Sequence, residues 1–396
     1  AAAKELNIAV INLKRKTEFN TITLDINTDI KNIKEYLSET SQEDIAMILH
    51  TSGTTSRPKM VPLSQKNLLA SARNISKTLN LNENDKCLNI MPMFHIHGLI
   101  AAILAPIYKS GTIITPSGFD ALKFFRWLND FKPTWYTAVP TMHQAILARA
   151  PRNIDIIKNN QLKFIRSSSA SLPATVMEKL ENTFNTCVIE SYGMTEATHQ
   201  MTSNPLPPNK RKAGSVGLAA GPEVALLLDD KILHNIKENQ NITGQIIIKG
   251  ENVTEGYINN PEANSESYID GWFLTGDEGV FDNDGYLKIT GRLKEIINRG
   301  GEKISPKEID EILMEHKSIQ QAVAFSVPHE KLGEDLYAAV IIKENVEISE
   351  NNLKEYCQQR LTQFKIPRKI LIVEEIPKGA TGKLQRIGLY KKLGIK

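Results

Sequence analysis

The sequence predicts an α/β protein, with a large N-terminal domain of parallel sheets, a β-rich subdomain within it, and a small α+β domain at the C-terminal end. Three observations carry this prediction. From residue 45 to 194 short apolar runs alternate with stretches of helical periodicity. Over 214–260 the pattern changes to short strands and turns. From 293 onward about a hundred residues show a new α+β pattern, the size of a separate domain.

In the first region, strands are expected at 45–50, 87–91, 111–115, 134–139, 162–167 and 187–191, and helices at 63–79, 121–129, 141–149 and 173–184. The strands hold few polar positions, which suits a parallel sheet covered on both faces. In the β-rich part, 223–228 and 244–249 read as strands. Beyond Leu293, 306–316 places Ile309, Ile312 and Leu313 on one helical face, 321–327 and 336–342 read as strands, and 349–361 as a helix capped by Ser349. The expected domains are 1–292 and 293–396. Residues 1–7 read as the tail of a helix and 8–11 as the strand after it, so the chain is expected to be a fragment with sequence upstream.

A chain of 396 residues has ample material for a core. Its net charge of +3 is too small to imply a nucleic acid or a membrane as partner. Cys87, Cys187 and Cys357 lack metal-ligand spacing and suit reduced thiols. No apolar run approaches the roughly 18 residues of a spanning helix. A cytoplasmic protein is expected.

Residues 50–62, HTSGTTSRPKMVP, follow the first strand. Thr51, Ser52, Gly53, Thr54 and Thr55 offer hydroxyls and backbone N–H groups that can turn toward an anion, and Lys59 adds a point charge. This is polyphosphate-clamp chemistry without the Walker A spacing, although such a loop alone is also an ordinary surface turn. Glu190, Ser191, Tyr192, Gly193, Met194, Thr195 and Glu196 combine an aromatic face, a flexible glycine, a hydroxyl and a carboxylate. Asp277 ends the tight turn of WFLTGD and Arg292 lies fifteen residues on; together they can hold a diol through charge-assisted hydrogen bonds. Ser169, Ala170 and Ser171 end a strand with small residues, and Lys383 ends the glycine-flanked loop PKGATGK. The His95-x-His97 pair has no Cys, Asp or Glu nearby in sequence to complete a metal site.

Together these motifs resemble the adenylate-forming superfamily of acyl-CoA synthetases, firefly-luciferase-like enzymes and peptide-synthetase adenylation domains. Ser56 and Met60 depart from its phosphate loop, where glycine is common; Ser56-Arg57, MPMFHIHGL, YTAVPTMHQAIL and SYGMTEATHQM resemble its oxalyl-CoA synthetase branch. The resemblance implies ATP, Mg²⁺ and coenzyme A. It places adenine on Tyr192 within the Glu190–Gly193 motif, the α-phosphate on Thr195, Mg²⁺ on Glu196 and the ribose on Asp277 and Arg292. It has the loop Ser169–Ser171 close over the acyl group and adenine, and His95 face the carboxylate to be activated. Lys383 would serve adenylation. Lys294 would be the pivot about which a mobile C-terminal domain turns, bringing the segment with Arg299, Gly300 and Gly301 to line a pantetheine tunnel.

The expected activity is ATP-dependent ligation of a carboxylic acid to CoA through an acyl-adenylate. His95, Ser169 and His199 resemble oxalate-contacting positions, and the two histidines could donate hydrogen bonds to a distal carboxylate or, if protonated, offset its charge. A ligase for another short acid, a standalone carrier-protein adenylation enzyme and a non-catalytic nucleotide-binding module are the rival readings.

Overall fold

A computed structural model describes residues 11–16, 21–26, 40–51, 58–234, 241–343, 346–377 and 385–395. It divides into two compact units, 1–44 and 45–396. In the first, β1 (Ile11–Lys16) and β2 (Thr21–Ile26) pair antiparallel, Ile11 opposite Ile26. The helix expected at 1–7 and most of the strand expected at 8–11 lie outside the described residues.

The second unit opens with β3 (Ile45–His50) and β4 (Met60–Ser64), an antiparallel two-stranded ribbon. This corrects the expectation that 45–50 joins the parallel sheet. The nine residues between the strands are too few for a parallel crossover, which needs a dozen or more. Helix α1 (Gln65–Thr78) follows at once, started by a capping box in which Ser64 Oγ accepts from Asn67 N at 3.2 Å and Asn67 Oδ1 accepts from Ser64 N at 2.9 Å.

Strands β5 (Lys86–Asn89), β6 (Thr112–Ile114), β7 (Trp135–Ala138), β8 (Phe164–Ser167), β9 (Cys187–Met194), β10 (His199–Ser203) and β11 (Leu218–Ala219) form a seven-stranded sheet in the order 11-10-9-8-7-5-6. β6, β5, β7, β8 and β9 run parallel, connected through α2 (Phe124–Phe131), α3 (Pro140–Leu147) and α4 (Ala174–Phe184). The β10–β11 edge is antiparallel, because only one short turn separates β9 from β10. Successive residues point to opposite faces. Trp135 and Phe164 enter a core shared with Leu63, Ile75, Met201, Leu226 and Phe281, whereas Tyr136 and Ile165 enter a second with Phe124, Leu128, Leu180 and Val188. That alternation is the physical form of a sheet covered on both faces.

Strands β12 (Glu223–Leu228), β13 (Lys231–Leu233), β14 (Thr243–Lys249), β15 (Tyr268–Ile269), β16 (Trp272–Phe281) and β17 (Leu287–Arg292) make a six-stranded antiparallel sheet. It reaches past the expected limit at 260. WFLTGD, read as a tight turn, lies inside the ten-residue β16; Gly276 absorbs the irregularity at φ +73°.

Beyond a short turn at Leu293–Glu295, β18 (Ile297–Arg299), β19 (Glu302–Ile304), β20 (Ile319–His329), β21 (Gly333–Ile342) and β22 (Lys369–Ile372) form a five-stranded sheet with helices α5 (Pro306–Glu315) and α6 (Glu350–Gln358). Ile297, Ile309, Leu313, Val340, Leu353 and Ile370 form its core. Ser349 caps α6, accepting from Asn352 N at 3.2 Å. The architecture is α/β, with a smaller α+β part at the C-terminal end.

Candidate active site

The β3–β4 ribbon brackets the segment expected to clamp a polyphosphate. Thr51 N donates to Lys59 O at 2.9 Å, and Lys59 N lies 3.4 Å from Thr51 Oγ1. Ser52, Gly53, Thr54 and Thr55 lie outside the described residues, as does Lys383. The Lys59 ammonium sits 4.3 Å above the Tyr257 ring, a cation–π contact. Burial and the nearby Lys294 charge hold its pKa below the ordinary lysine value, with Glu196 and Glu266 pulling the other way.

Thr195 and Glu196 stand on the turn between β9 and β10. Glu196 is buried, and its Oε1 accepts from Tyr257 Oη at 2.9 Å. Burial pushes its carboxyl pKa up, against the pull of Tyr257, Lys59 and Arg292. One oxygen-donor carboxylate beside a phosphate clamp fits Mg²⁺, which takes one or two carboxylates and completes its shell with phosphates and water. Among the described residues no cluster of three or more His, Cys, Asp or Glu exists that would hold a metal alone.

Asp277 and Arg292 face each other in register across β16 and β17. Arg292 Nε donates to Asp277 Oδ1 at 2.8 Å, and Tyr192 Oη donates to Asp277 Oδ2 at 2.5 Å. The structure thus brings Tyr192, Asp277 and Arg292 into one hydrogen-bonded group from three strands. Tyr192 is buried, and burial together with Asp277 raises its phenol pKa.

The third group lies where β7, β8 and β10 meet the π-helical run His97–Leu104. His97 is fully buried; its Nδ1 is 3.1 Å from Ser169 Oγ and its Nε2 is 2.6 Å from Thr137 Oγ1. It stacks on His199 with ring centroids 4.8 Å apart and planes 20° from parallel. Sequence reasoning preferred His95 here. The structure gathers Ser169 and His199 around His97, and the half-buried His95 lies next to it, accepting from His97 N at 3.2 Å.

The backbone at this end is held in an uncommon conformation. Ser169, Thr198 and His199 have φ of +72°, +48° and +95°, a cost that folds accept where other contacts over-determine it. Those contacts exist: Ser71 Oγ on α1 donates to Thr198 O at 2.5 Å, Thr198 Oγ1 donates to Asn252 O at 2.7 Å, and Asn252 Nδ2 donates to Ala197 O at 2.8 Å. Gly193 is obligatory for a second reason, since a Cβ there would lie 1.6 Å from the His199 carbonyl oxygen.

Ala170 and Ser171 continue the segment from Ser169 toward α4. Glu190 clamps that segment from beneath, its Oε1 accepting from Leu172 N at 2.8 Å. Burial pushes its carboxyl pKa up to about 7. Ser191 is buried beside it, its carbonyl accepting from Ser168 Oγ at 2.9 Å.

Of the residues expected at a hinge and a CoA tunnel, Lys294 acts on Lys59 through its charge, while Arg299, Gly300 and Gly301 stay with their own sheet. Lys294 is exposed on the Leu293–Glu295 turn. Arg299 turns into its own sheet, with Nε 2.8 Å from Asp335 Oδ1 and NH1 donating to the Phe364 and Ile366 carbonyls. Gly300 and Gly301 form the β18–β19 turn at φ +63° and +99°. Next to the turn, Ser305 Oγ donates to Thr290 O at 2.5 Å and Lys307 Nζ to Ile289 O at 2.5 Å, both acceptors on β17.

Sequence reasoning missed Tyr257, Thr137, Gln200 and Arg166. Arg166 left a signal: a charged residue inside the apolar strand FIRS is an anomaly that asks for an explanation. Tyr257 left none, because it reaches Glu196 across 61 positions of sequence.

Together the part-buried Lys59 over Tyr257, the buried Glu196, the tyrosine–carboxylate–arginine group and the buried histidine cluster are arranged as an adenylate-forming enzyme requires. A family model described as AMP-binding enzyme matches residues 2–258, and one described as AMP-binding enzyme C-terminal domain matches 308–383. The chain belongs to the AMP-binding enzyme family. It is 47% identical over 347 residues to an oxalate–CoA ligase of Arabidopsis thaliana, covering 87% of this chain and 66% of that one. An oxalate–CoA ligase of Saccharomyces cerevisiae is 44% identical over 346 residues, covering 87% and 62%. The chain thus spans slightly less than two thirds of either ligase. The crystal structure of ATP-bound MatB from Rhodopseudomonas palustris superposes with a TM-score of 0.82 at 29% identity, covering 89% of this chain and 69% of that one. No helix among the described residues is long and apolar enough to cross a membrane.

Proposed function

We propose that this chain carries out ATP-dependent ligation of a small carboxylic acid to CoA, with oxalate the preferred acid. The observation that carries the choice of acid is the fully buried, stacked His97–His199 pair beside Ser169. A fatty or aromatic acid wants an apolar pocket, whereas a second carboxylate must be hydrogen-bonded once buried. The names of the Arabidopsis and yeast relatives support the same acid.

The reaction runs in two steps. The acid attacks the α-phosphate of ATP, releasing pyrophosphate and leaving an acyl-adenylate; the CoA thiol then displaces AMP. Thr51–Thr55, Lys59 and Thr195 hold the phosphates, Glu196 the Mg²⁺ that accompanies them, Tyr192 the adenine, and Asp277 with Arg292 the ribose. Lys383 supplies charge to the pentavalent phosphorus as it forms. Residues 1–292 constitute the adenylation core, and 293–396 a mobile domain that pivots at Lys294 to bring Arg299, Gly300 and Gly301 to the thiol path. Such a rotation is an established switching device. The compartment that suits three reduced thiols is the cytoplasm.

The deciding experiment measures AMP formation over a panel of small acids, with and without CoA. Oxalate ahead of malonate, acetate and medium-chain acids, with oxalyl-CoA as product, is the expected result. Hexanoate or benzoate activated far better than oxalate would remove the acid assignment. Transfer to a carrier phosphopantetheine instead of CoA would favour a carrier-protein adenylation enzyme, and no pyrophosphate with any acid a binding module.

A further inference from the structure

Arg166 sits on β8, in the middle of the seven-stranded sheet, and is fully buried. Among the described residues no carboxylate pairs with it. Its NH1 lies 3.1 Å from His199 Nε2, 3.4 Å from His97 Nε2 and 3.5 Å from Thr137 Oγ1, and its NH2 donates to Gln200 Oε1 at 3.2 Å. Nε has no hydrogen-bond partner. The acidic group that acts on it electrostatically is the Cys87 thiol, whose own pKa burial raises so far that it carries a proton. Burial lowers the guanidinium pKa to about 9, which still leaves it charged at neutral pH. A buried cation without a carboxylate partner is costly unless something anionic compensates it.

The partners also fix direction. A guanidinium has donors only, so His199 Nε2 must accept and the ring proton belongs on Nδ1. His97 Nε2 faces the Thr137 hydroxyl at 2.6 Å with NH1 behind it, which again places the ring proton on Nδ1, and that nitrogen faces Ser169 Oγ at 3.1 Å. The charge that sequence reasoning sought from protonated histidines is thus already present one layer deeper, in a residue that holds it at neutral pH.

We propose that Arg166 is the built-in counter-charge of the acyl site: a positioning residue that fixes His97 and His199 as Nδ1–H donors and, through them, selects acids with a second anionic group. This rests on the ligase reading above. Its chemistry is distinct from direct coordination, because the guanidinium stays buried and acts by its field and by setting the tautomers.

The test compares Arg166→Met and Arg166→Lys with the wild type, using oxalate and acetate as alternative acids and ¹⁵N-histidine NMR for the ring tautomers. Arg166→Met should lower kcat/KM for oxalate by about 30- to 100-fold, mostly through KM, the scale expected when a buried charged hydrogen-bonding partner is lost. The KM for ATP and the kcat/KM for acetate should change less than about threefold, and the histidine tautomer signals should shift. Arg166→Lys should keep part of the oxalate preference. Equal losses with oxalate and acetate, or unaltered tautomers, would overturn the proposal and leave Arg166 a structural residue, with the oxalate reading intact. A wild-type enzyme without preference for oxalate over acetate would overturn both. Should Arg166→Met not fold, the wild-type spectrum decides: neutral rings protonated on Nδ1 support the proposal, and rings protonated on Nε2 overturn it.

Discussion

Tyr257 donates its hydroxyl to Glu196 Oε1 at 2.9 Å while the Lys59 ammonium rests 4.3 Å above the same ring. One aromatic side chain therefore connects the lysine proposed for the phosphates to the carboxylate proposed for Mg²⁺. Its ring and its hydroxyl serve different neighbours, so they can be separated by mutation.

Tyr257→Phe keeps the ring under Lys59 and removes a donor from a buried carboxylate. A lost hydrogen bond to a charged group is worth about 1.5–3 kcal/mol. The apparent KM for Mg²⁺ in AMP formation should rise roughly tenfold or more on that scale, with the oxalate KM unchanged. A magnesium titration identical to wild type would remove Tyr257 from the metal end of the site.

Asp277→Asn addresses the nucleotide end. The carboxylate takes Arg292 Nε at 2.8 Å and the Tyr192 hydroxyl at 2.5 Å, so the amide would lose a charge-assisted bond and present a donor to an arginine. ATP affinity should fall by about 10- to 100-fold, read by equilibrium binding of a non-hydrolysable analogue. Thermal stability should fall too, but a loss of stability without loss of affinity would contradict the assignment.

Glu190 provides a pH test. Its carboxyl is raised by burial from an ordinary 4.5 to about 7, so the folded state holds the proton more tightly than the unfolded chain. The stability this adds is complete below pH 4.5 and is lost as pH climbs through 7. Glu190→Gln cannot ionise. Whatever constant offset the amide brings, its stability relative to wild type should grow between pH 5 and 8 by up to about 3 kcal/mol. Urea unfolding at the two pH values measures this, and a difference that shrinks or stays flat would refute the buried-acid assignment.

Lys383→Ala should slow adenylate formation by roughly two to three orders of magnitude, as removal of a preorganised charge usually does. Conversion of supplied acyl-adenylate to thioester should be largely spared. Equal loss in both half-reactions would contradict the two-conformation scheme.

Much of this was legible in the sequence, for reasons that can be traced. Strands such as Phe164–Ser167 and helices such as Ala174–Phe184 declare themselves through apolar periodicity, and Ser349 through its capping chemistry. The antiparallel edge did not, because His199–Ser203 is a polar string that is nonetheless wholly buried. Its amides and hydroxyls are satisfied by partners far away, among them Ala220 O and Val216 O, and periodicity records none of that. The π-helical run His97–Leu104 also escaped, since no Gly–Pro break marks it. That His97 is fully buried while His95 is half-buried is a matter of backbone winding that residue spacing leaves open.

The two contacts from Ser305 and Lys307 onto β17 end on main-chain carbonyls, those of Thr290 and Ile289. Such acceptors are present whatever side chains the strand bears. These two bonds therefore survive side-chain changes at 289 and 290, whereas position 291 on the same strand is not free to change, because a Cβ on Gly291 would lie 2.9 Å from Ser305 Oγ. Changes at positions 305 and 307 therefore act on the contact directly, since they remove the donors themselves.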